Sequence, residues 1–211
     1  MLKKIAIVLV TLSVVAAADA KTWRSETYKY DAAPLTVLEI DHPVGELEIT
    51  PGQGETIEVL MRIECSSWRN KCGEKTADIE LVGSQSGSSL ELKVEGLPKT
   101  VNSLSIDLEI TIPARLSLDV ERGVGETTIR GIEGDIFVET GVGEVNVTAP
   151  ARGVGRVTAE CGVGDADLDV PDGSIRKDGF LFLGNELKWE GTGSSLIEVE
   201  VGVGSAEIDL E

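Results

Sequence analysis

The side chains of this sequence that could do chemistry are mostly carboxylates, and they recur at fixed places after glycine. Glu126, Glu144 and Asp165 each follow the second glycine of a Gly-Val-Gly phrase, Glu46 follows Pro43-Val44-Gly45, and Asp135 follows Gly134 in the degenerate copy Gly131-Ile132-Glu133-Gly134-Asp135. Glycine-rich acidic repeats first invite a calcium reading, as in the β-roll nonapeptide Gly-Gly-x-Gly-x-Asp. Aligning Gly164 with the third glycine of that motif puts Ala166 where the ligand Asp belongs; Thr127, Ile136, Val145, Val157 and Ala206 take that place in the other copies. A hard cation needs converging oxygens, so no specific metal site is expected, and Asp165, Asp167 and Asp169 are surface acids able to hold calcium only weakly. Paired acids also serve glycoside cleavage, but aromatic residues make up only 4% of the chain and leave little to hold a sugar. Gly-x-Gly phrases cradle phosphate where a helix follows; here each precedes a strand pattern. His42 is the only histidine and stands beside Pro43 in what reads as an exposed turn. No catalytic residue, cofactor or enzymatic activity is expected.

Thiols offer one further chemistry. Cys65 and Cys72 bracket a short loop, and in an oxidising compartment such a pair is expected to form a disulfide, two free thiols being the other reading. Cys161, just before Gly162, reads as a partly buried free thiol at a chain corner.

What must position these groups is the repeat itself. The second glycines Gly125, Gly134, Gly143, Gly155 and Gly164 are spaced by 9, 9, 12 and 9 residues, and Val201-Gly202-Val203-Gly204 returns near the end. After each glycine, apolar residues or Thr alternate with polar ones: Leu47/Ile49, Thr127/Ile129, Ile136/Val138, Val145/Val147, Val157/Ala159, Ala166/Leu168 and Ala206/Ile208. A period of two is a strand with one buried face, and glycine supplies the corner. A five-residue strand cannot bury its face alone, so each is expected to stack on the next as a solenoid around a column of Val, Ile, Leu and Ala. Neighbouring rungs lie roughly 4.8 Å apart, which would set Glu46, Glu126, Glu144 and Asp165 in one slot. Arg156 is assigned to the same slot, with Arg122, Arg130 and Arg152 close enough to relieve repulsion.

The N-terminus reads as an address. Lys3 and Lys4 precede an apolar run over residues 5–18, and Ala18-Asp19-Ala20 fits a cleavage site, so a mature start at Lys21 is predicted in the periplasm or outside the cell. Full-length net charge is −18, and losing Lys3, Lys4 and Asp19 makes it one unit more negative. That charge opposes binding of nucleic acid or anionic lipid, and no stable membrane insertion is expected after cleavage.

Residues 21–211 read as one all-β domain. Residues 21–112 form an irregular, antiparallel lead-in with strands over 22–30, 35–40, 46–50, 56–64, 77–82, 90–95 and 104–112. Regular rungs fill residues 113–170. Residues 171–211 form a cap and last rungs, in which the aromatic insert of Phe180, Phe182 and Trp189 plugs the open end or, alternatively, makes a carbohydrate-binding lip.

The approach Pro113-x-x-Leu116-x-Leu118, the Gly-Glu/Asp rungs at Gly125, Gly134, Gly143 and Gly164, the break at Gly184 and the final Gly202-Val203-Gly204 resemble the bacterial "putative adhesin" domain, a domain of unknown function in exported and envelope proteins. The resemblance covers about residues 35–211. It implies a right-handed β-helix or prism-like solenoid in the envelope and brings no catalytic residues. This chain carries Gly-Val-Gly where that family more often has Asn-Gly, which leaves its rim less polar. The expected role is therefore non-enzymatic: an adhesin-like binding or scaffold protein acting on an envelope or protein partner through acidic strand faces. The runner-up is a carbohydrate-binding or carbohydrate-active protein using the insert from Phe180 to Trp189 and nearby acids, and self-association through the ends is a third reading.

Overall fold

The computed structural model describes residues 22–65, 76–99, 101, 104–180 and 183–211. The predicted signal peptide, Cys72 and Phe182 lie outside the described residues. Among the described residues, thirteen strands form one hydrogen-bonded sheet: β1 (Thr22–Asp31), β2 (Val37–Val44), β3 (Leu47–Pro51), β4 (Thr56–Cys65), β5 (Glu80–Ser86), β6 (Ser89–Glu95), β7 (Leu104–Ile112), β8 (Ser117–Arg130), β9 (Ile136–Ala149), β10 (Val154–Asp169), β11 (Arg176–Phe180), β12 (Leu183–Glu190) and β13 (Ser195–Leu210). A 3-10 turn, Ala151–Gly153, follows Pro150 and carries the longer connection into β10.

Pairing of β8 with β9 sets the true length of a rung. The two run parallel from Leu118 opposite Ile136 to Arg130 opposite Thr148, so equivalent residues lie eighteen apart rather than nine. Each rung runs along one face, bends at Gly-Val-Gly, runs along a second face and returns through a short loop. On the first face the neighbours are β6, β2, β8, β9, β13, β10 and β12; on the second they are β7, β3, β8, β9, β13 and β10. The residues assigned to the interior by alternation are all buried: Leu47, Ile49, Thr127, Ile129, Ile136, Val138, Val145, Val147, Val157, Ala159, Ala166, Leu168, Ala206 and Ile208.

The glycine copies consequently divide between two corners. Gly45, Gly125, Gly143, Gly204 and Gly164 form one column, with φ of 123°, 140°, 154°, 143° and 138°. Gly134 and Gly155 belong to the return side and have no such φ. In the first column a Cβ would collide with the rung beneath: one built on Gly143 falls 1.9 Å from the Gly125 carbonyl oxygen, and one on Gly204 falls 1.7 Å from that of Gly143. Glycine is required here on two counts, backbone angle and approach distance.

Stacking order differs from sequence order. Instead of β10 covering β9, β13 lies between them, parallel to both, with Gly204 level with Gly143 on one side and Gly164 on the other. The lead-in is antiparallel where β1, β4 and β7 pair and where β5 meets β6. However, β2 and β3 run parallel to β8 and make the first rung of the stack. At the opposite end β12 pairs antiparallel with β10 and buries Leu187 and Trp189.

Replacing Gly204 by Ala is expected to cost at least about 3 kcal/mol, the strain of the backbone angle adding to the clash. Gly87, at φ 61° with nothing within 4 Å of its missing Cβ, is the control. Gly87→Ala should cost about 1 kcal/mol, from backbone strain alone. Urea denaturation of the two variants checks the difference.

Candidate binding surface

Because alternate residues point outward, the register lines up side chains of one kind across many strands. On the first face Asp41, Glu121, Glu139, Glu200, Glu160 and Glu186 stand opposite one another on consecutive strands. Lys93 continues the row at one end and forms an ion pair with Asp41. Like charges at this spacing disfavour one another's ionised form. Glu200, in the middle of the row, shows it: partial burial first, then Glu160, Glu198 and Glu139, push its carboxyl above the usual range.

The second face carries the slot foreseen from the repeat. Glu126 is level with Glu144, Glu144 with Ser205, and Ser205 with Asp165, while Glu46 precedes the Leu47–Thr127 pair. Ser205 interrupts the row because β13 is inserted there. Arg156 is not in it, contrary to expectation; it lies on the first half of β10, opposite Glu190 and Leu196. The repeat phrase misled because Gly155-Arg156 marks the other corner. Arg130 does offset charge, reaching Glu48 at 2.7 Å across the rung.

Between the two carboxylate rows runs the corner itself. Val124, Val142, Val203 and Val163 lie in register on its crest, 47–54% exposed, and Val44 adds a half-buried fifth. The flanking glycines have no side chains to cover them.

Behind the corner the interior is polar across β2, β8 and β9 and turns apolar at Val201 and Cys161. Arg122, expected to relieve surface charge, is only 4% exposed. Its Nη1 donates to the Glu126 carbonyl at 2.6 Å and to Thr127 Oγ1 at 2.8 Å, and its Nη2 donates to the Gly45 carbonyl. Burial lowers its pKa to about 10. His42 is not in an exposed turn either: it is fully buried in β2, level with Arg122, and its ring nitrogen Nε2 donates to the Ile106 carbonyl at 2.6 Å. Thr140 continues the column and is also buried. The signal for all three was present in the sequence, since Leu38-x-Ile40-x-His42, Leu118-x-Val120-x-Arg122 and Ile136-x-Val138-x-Thr140 keep the inward phase. Proximity to Pro43 and the polarity of the side chains concealed it.

Cys161, read as partly buried, is completely buried and free, its Sγ 3.2 Å from the Gly204 carbonyl. Burial pushes its thiol up. Trp189 is 7% exposed, with Nε1 donating to the Asp172 carbonyl at 2.9 Å, so it packs into the end of the core and offers no open sugar platform. Phe180 falls in β11. Cys65 ends β4. Among the described residues no group of three or more His, Cys, Asp or Glu side chains converges as a metal site would need. No helix among them is long and apolar enough to cross a membrane.

The sequence profile of the N-terminal domain of toast_rack, DUF2154, matches residues 17–169, well over half of the chain. The chain belongs to this family. The toast_rack match ends at the last residue of β10, while the rung inserted inside the stack comes from beyond it. Among solved structures, a putative cell adhesion protein from Clostridium sporogenes is similar at 14% identity and a TM-score of 0.51, over 89% of this chain and 99% of that one. That likeness shows a shared fold. A putative adhesin from Bacteroides fragilis aligns with 88% of this chain and 97% of its own at 13% identity and a TM-score of 0.33. One from Parabacteroides distasonis aligns with 88% and 70% at 10% identity and 0.31. No curated protein matches the sequence.

The buried histidine makes the corner sensitive to acid. Burial, then Arg122, lowers the pKa of His42 from 6.5 to about 4, against smaller opposing effects from the Ile106 carbonyl and Asp107. Above pH 6.5 the ring is neutral in both the folded and the unfolded chain. As pH falls toward 4 the unfolded chain takes up the proton first, and folding loses up to about 3 kcal/mol. His42→Gln keeps a donor for Ile106 and should flatten the fall in stability between pH 6.5 and 5, measured by urea denaturation.

Proposed function

We propose that this chain is an exported, non-enzymatic, adhesin-like protein that binds an envelope component or another protein through the acidic faces of a solenoid. The observation that carries the reading is the six-carboxylate row from Asp41 to Glu186, held in register by the rungs. Such a row is a rigid electrostatic surface, suited to recognition of cationic groups over a length rather than to catalysis in a pocket. A depression of about 270 Å³ at the return corner is lined by Ile132, Glu133, Arg152 and Ser195 among others, and no histidine or cysteine lines it. The solenoid is right-handed, as parallel crossovers within one sheet overwhelmingly are. Residues 21–211 act as one domain, with β11 and β12 as its end cover.

Export and the oxidising compartment belong to the same reading. Residues 1–20 are the signal peptide, the mature chain starts at Lys21, and Cys65 pairs with Cys72 in the periplasm or beyond. The intact mass of protein recovered from the periplasm should correspond to that start, and alkylation should modify neither Cys65 nor Cys72 until a reductant is added. Retention of residues 1–20, or immediate alkylation at both positions, would refute these assignments.

Binding is tested with envelope fractions of the producing cells. Purified mature protein should sediment with them at low salt and be released as salt rises. Glu121→Gln/Glu139→Gln/Glu200→Gln should abolish the association without altering the β-sheet circular dichroism. Equal association of that variant would sink the acidic-face reading.

A further inference from the structure

The carboxylate rows leave one feature unexplained: the exposed valine crest between them. An apolar stripe on a solenoid corner needs no exposed valine, because the corner requires only its glycines; alanine or threonine would serve the turn equally well. Val124, Val142, Val203 and Val163 nonetheless stand in register, each about half exposed. Glu126, Glu144 and Asp165 border them on one side, Glu121 and Glu139 on the other.

We propose that the valine crest and its two carboxylate banks form a docking track for a basic amphipathic helix lying across the rungs. This inference rests on the acidic-face reading above and specifies its partner. Three observations select the occupant. The stripe is apolar, so a purely cationic or sugar partner would leave it unused. Both banks are acidic, so a second copy of this chain placed crest to crest would set carboxylates against carboxylates, and an anionic lipid surface would be repelled likewise. The valines also repeat at a rung spacing of roughly 4.8 Å, close to the roughly 5.4 Å pitch of an α-helix. A helix with apolar side chains every third or fourth residue therefore places one on each valine in turn, and lysines flanking its apolar face reach both banks. This is recognition of a helix along an apolar ridge, with the carboxylates on either side fixing its position through its lysines.

The test uses the mature protein and a synthetic peptide of about 18 residues, roughly 27 Å long as a helix, made of leucine and lysine. One peptide has its leucines on a single helical face; a second has the same composition scrambled. By isothermal titration the patterned peptide should bind roughly tenfold more tightly than the scrambled one and gain helical circular dichroism on binding. Val142→Ser/Val203→Ser, on exposed positions, should erase that discrimination while leaving the weaker, salt-sensitive binding of both peptides. Glu139→Gln/Glu200→Gln should weaken both. Equal binding of the two peptides by the wild type, or unchanged discrimination in the valine variant, overturns the inference. So does a dimer in light scattering that the valine variant dissociates. If the wild type binds the two peptides equally yet still associates with envelope fractions in a salt-sensitive way, the track is wrong and the acidic-face reading stands. If the Gln variants also keep their envelope association, the acidic-face reading itself fails.

Discussion

At the corner of each rung a carbonyl oxygen occupies the place a Cβ would take. The Gly45 oxygen is 1.9 Å from a Cβ built on Gly125, and the Gly125 oxygen stands in the same relation to Gly143. The rungs can approach to sheet spacing through the bend only because those positions carry no side chain. Everything outside the corner inherits its register from this contact: the interior columns, the two carboxylate rows and the valine crest are all consequences of glycines held level with one another.

That register has an electrostatic cost. A sheet that aligns hydrophobic residues inside must also align whatever alternates with them outside, and in this acidic chain the result is carboxylate beside carboxylate. The fold offsets part of it with Arg130 on Glu48 and Lys93 on Asp41. Arg122, which could have neutralised more, is turned inward to the carbonyls of Gly45 and Glu126. A buried cation is held there by neutral oxygens, with His42 kept uncharged beside it. Polar support of the bend takes precedence over relief of the surface.

Much of this was legible in the residues. Period-two alternation named the buried faces correctly at every rung, from Leu47 and Ile49 to Ala206 and Ile208, because burial of one face is a local property of a strand. The family resemblance rested on the same pattern, and the toast_rack match agrees with it. What local pattern could not supply was the distinction between corners. Gly125 and Gly155 carry almost the same phrase, but only the first is held at positive φ against a neighbouring carbonyl, and the misplacement of Arg156 followed from treating them as equivalent. His42 and Arg122 were misjudged for the opposite reason: their phase was correct, but a charged or titratable side chain was taken as exposed. Strand order was the least accessible, since nothing in the residues 195–210 says which two rungs they will separate.

The placement of β13 has a bearing on how the chain reaches this state. Residues 136–149 and 154–169 are close in sequence, yet neither hydrogen-bonds the other. Their shared partner begins some forty residues beyond the start of β10, a non-local pairing of the kind that slows folding. Without that segment each of the two would present an open edge, the kind that recruits stray β-segments. The middle of the stack therefore rests on residues 195–210, which hold β9 and β10 together from between.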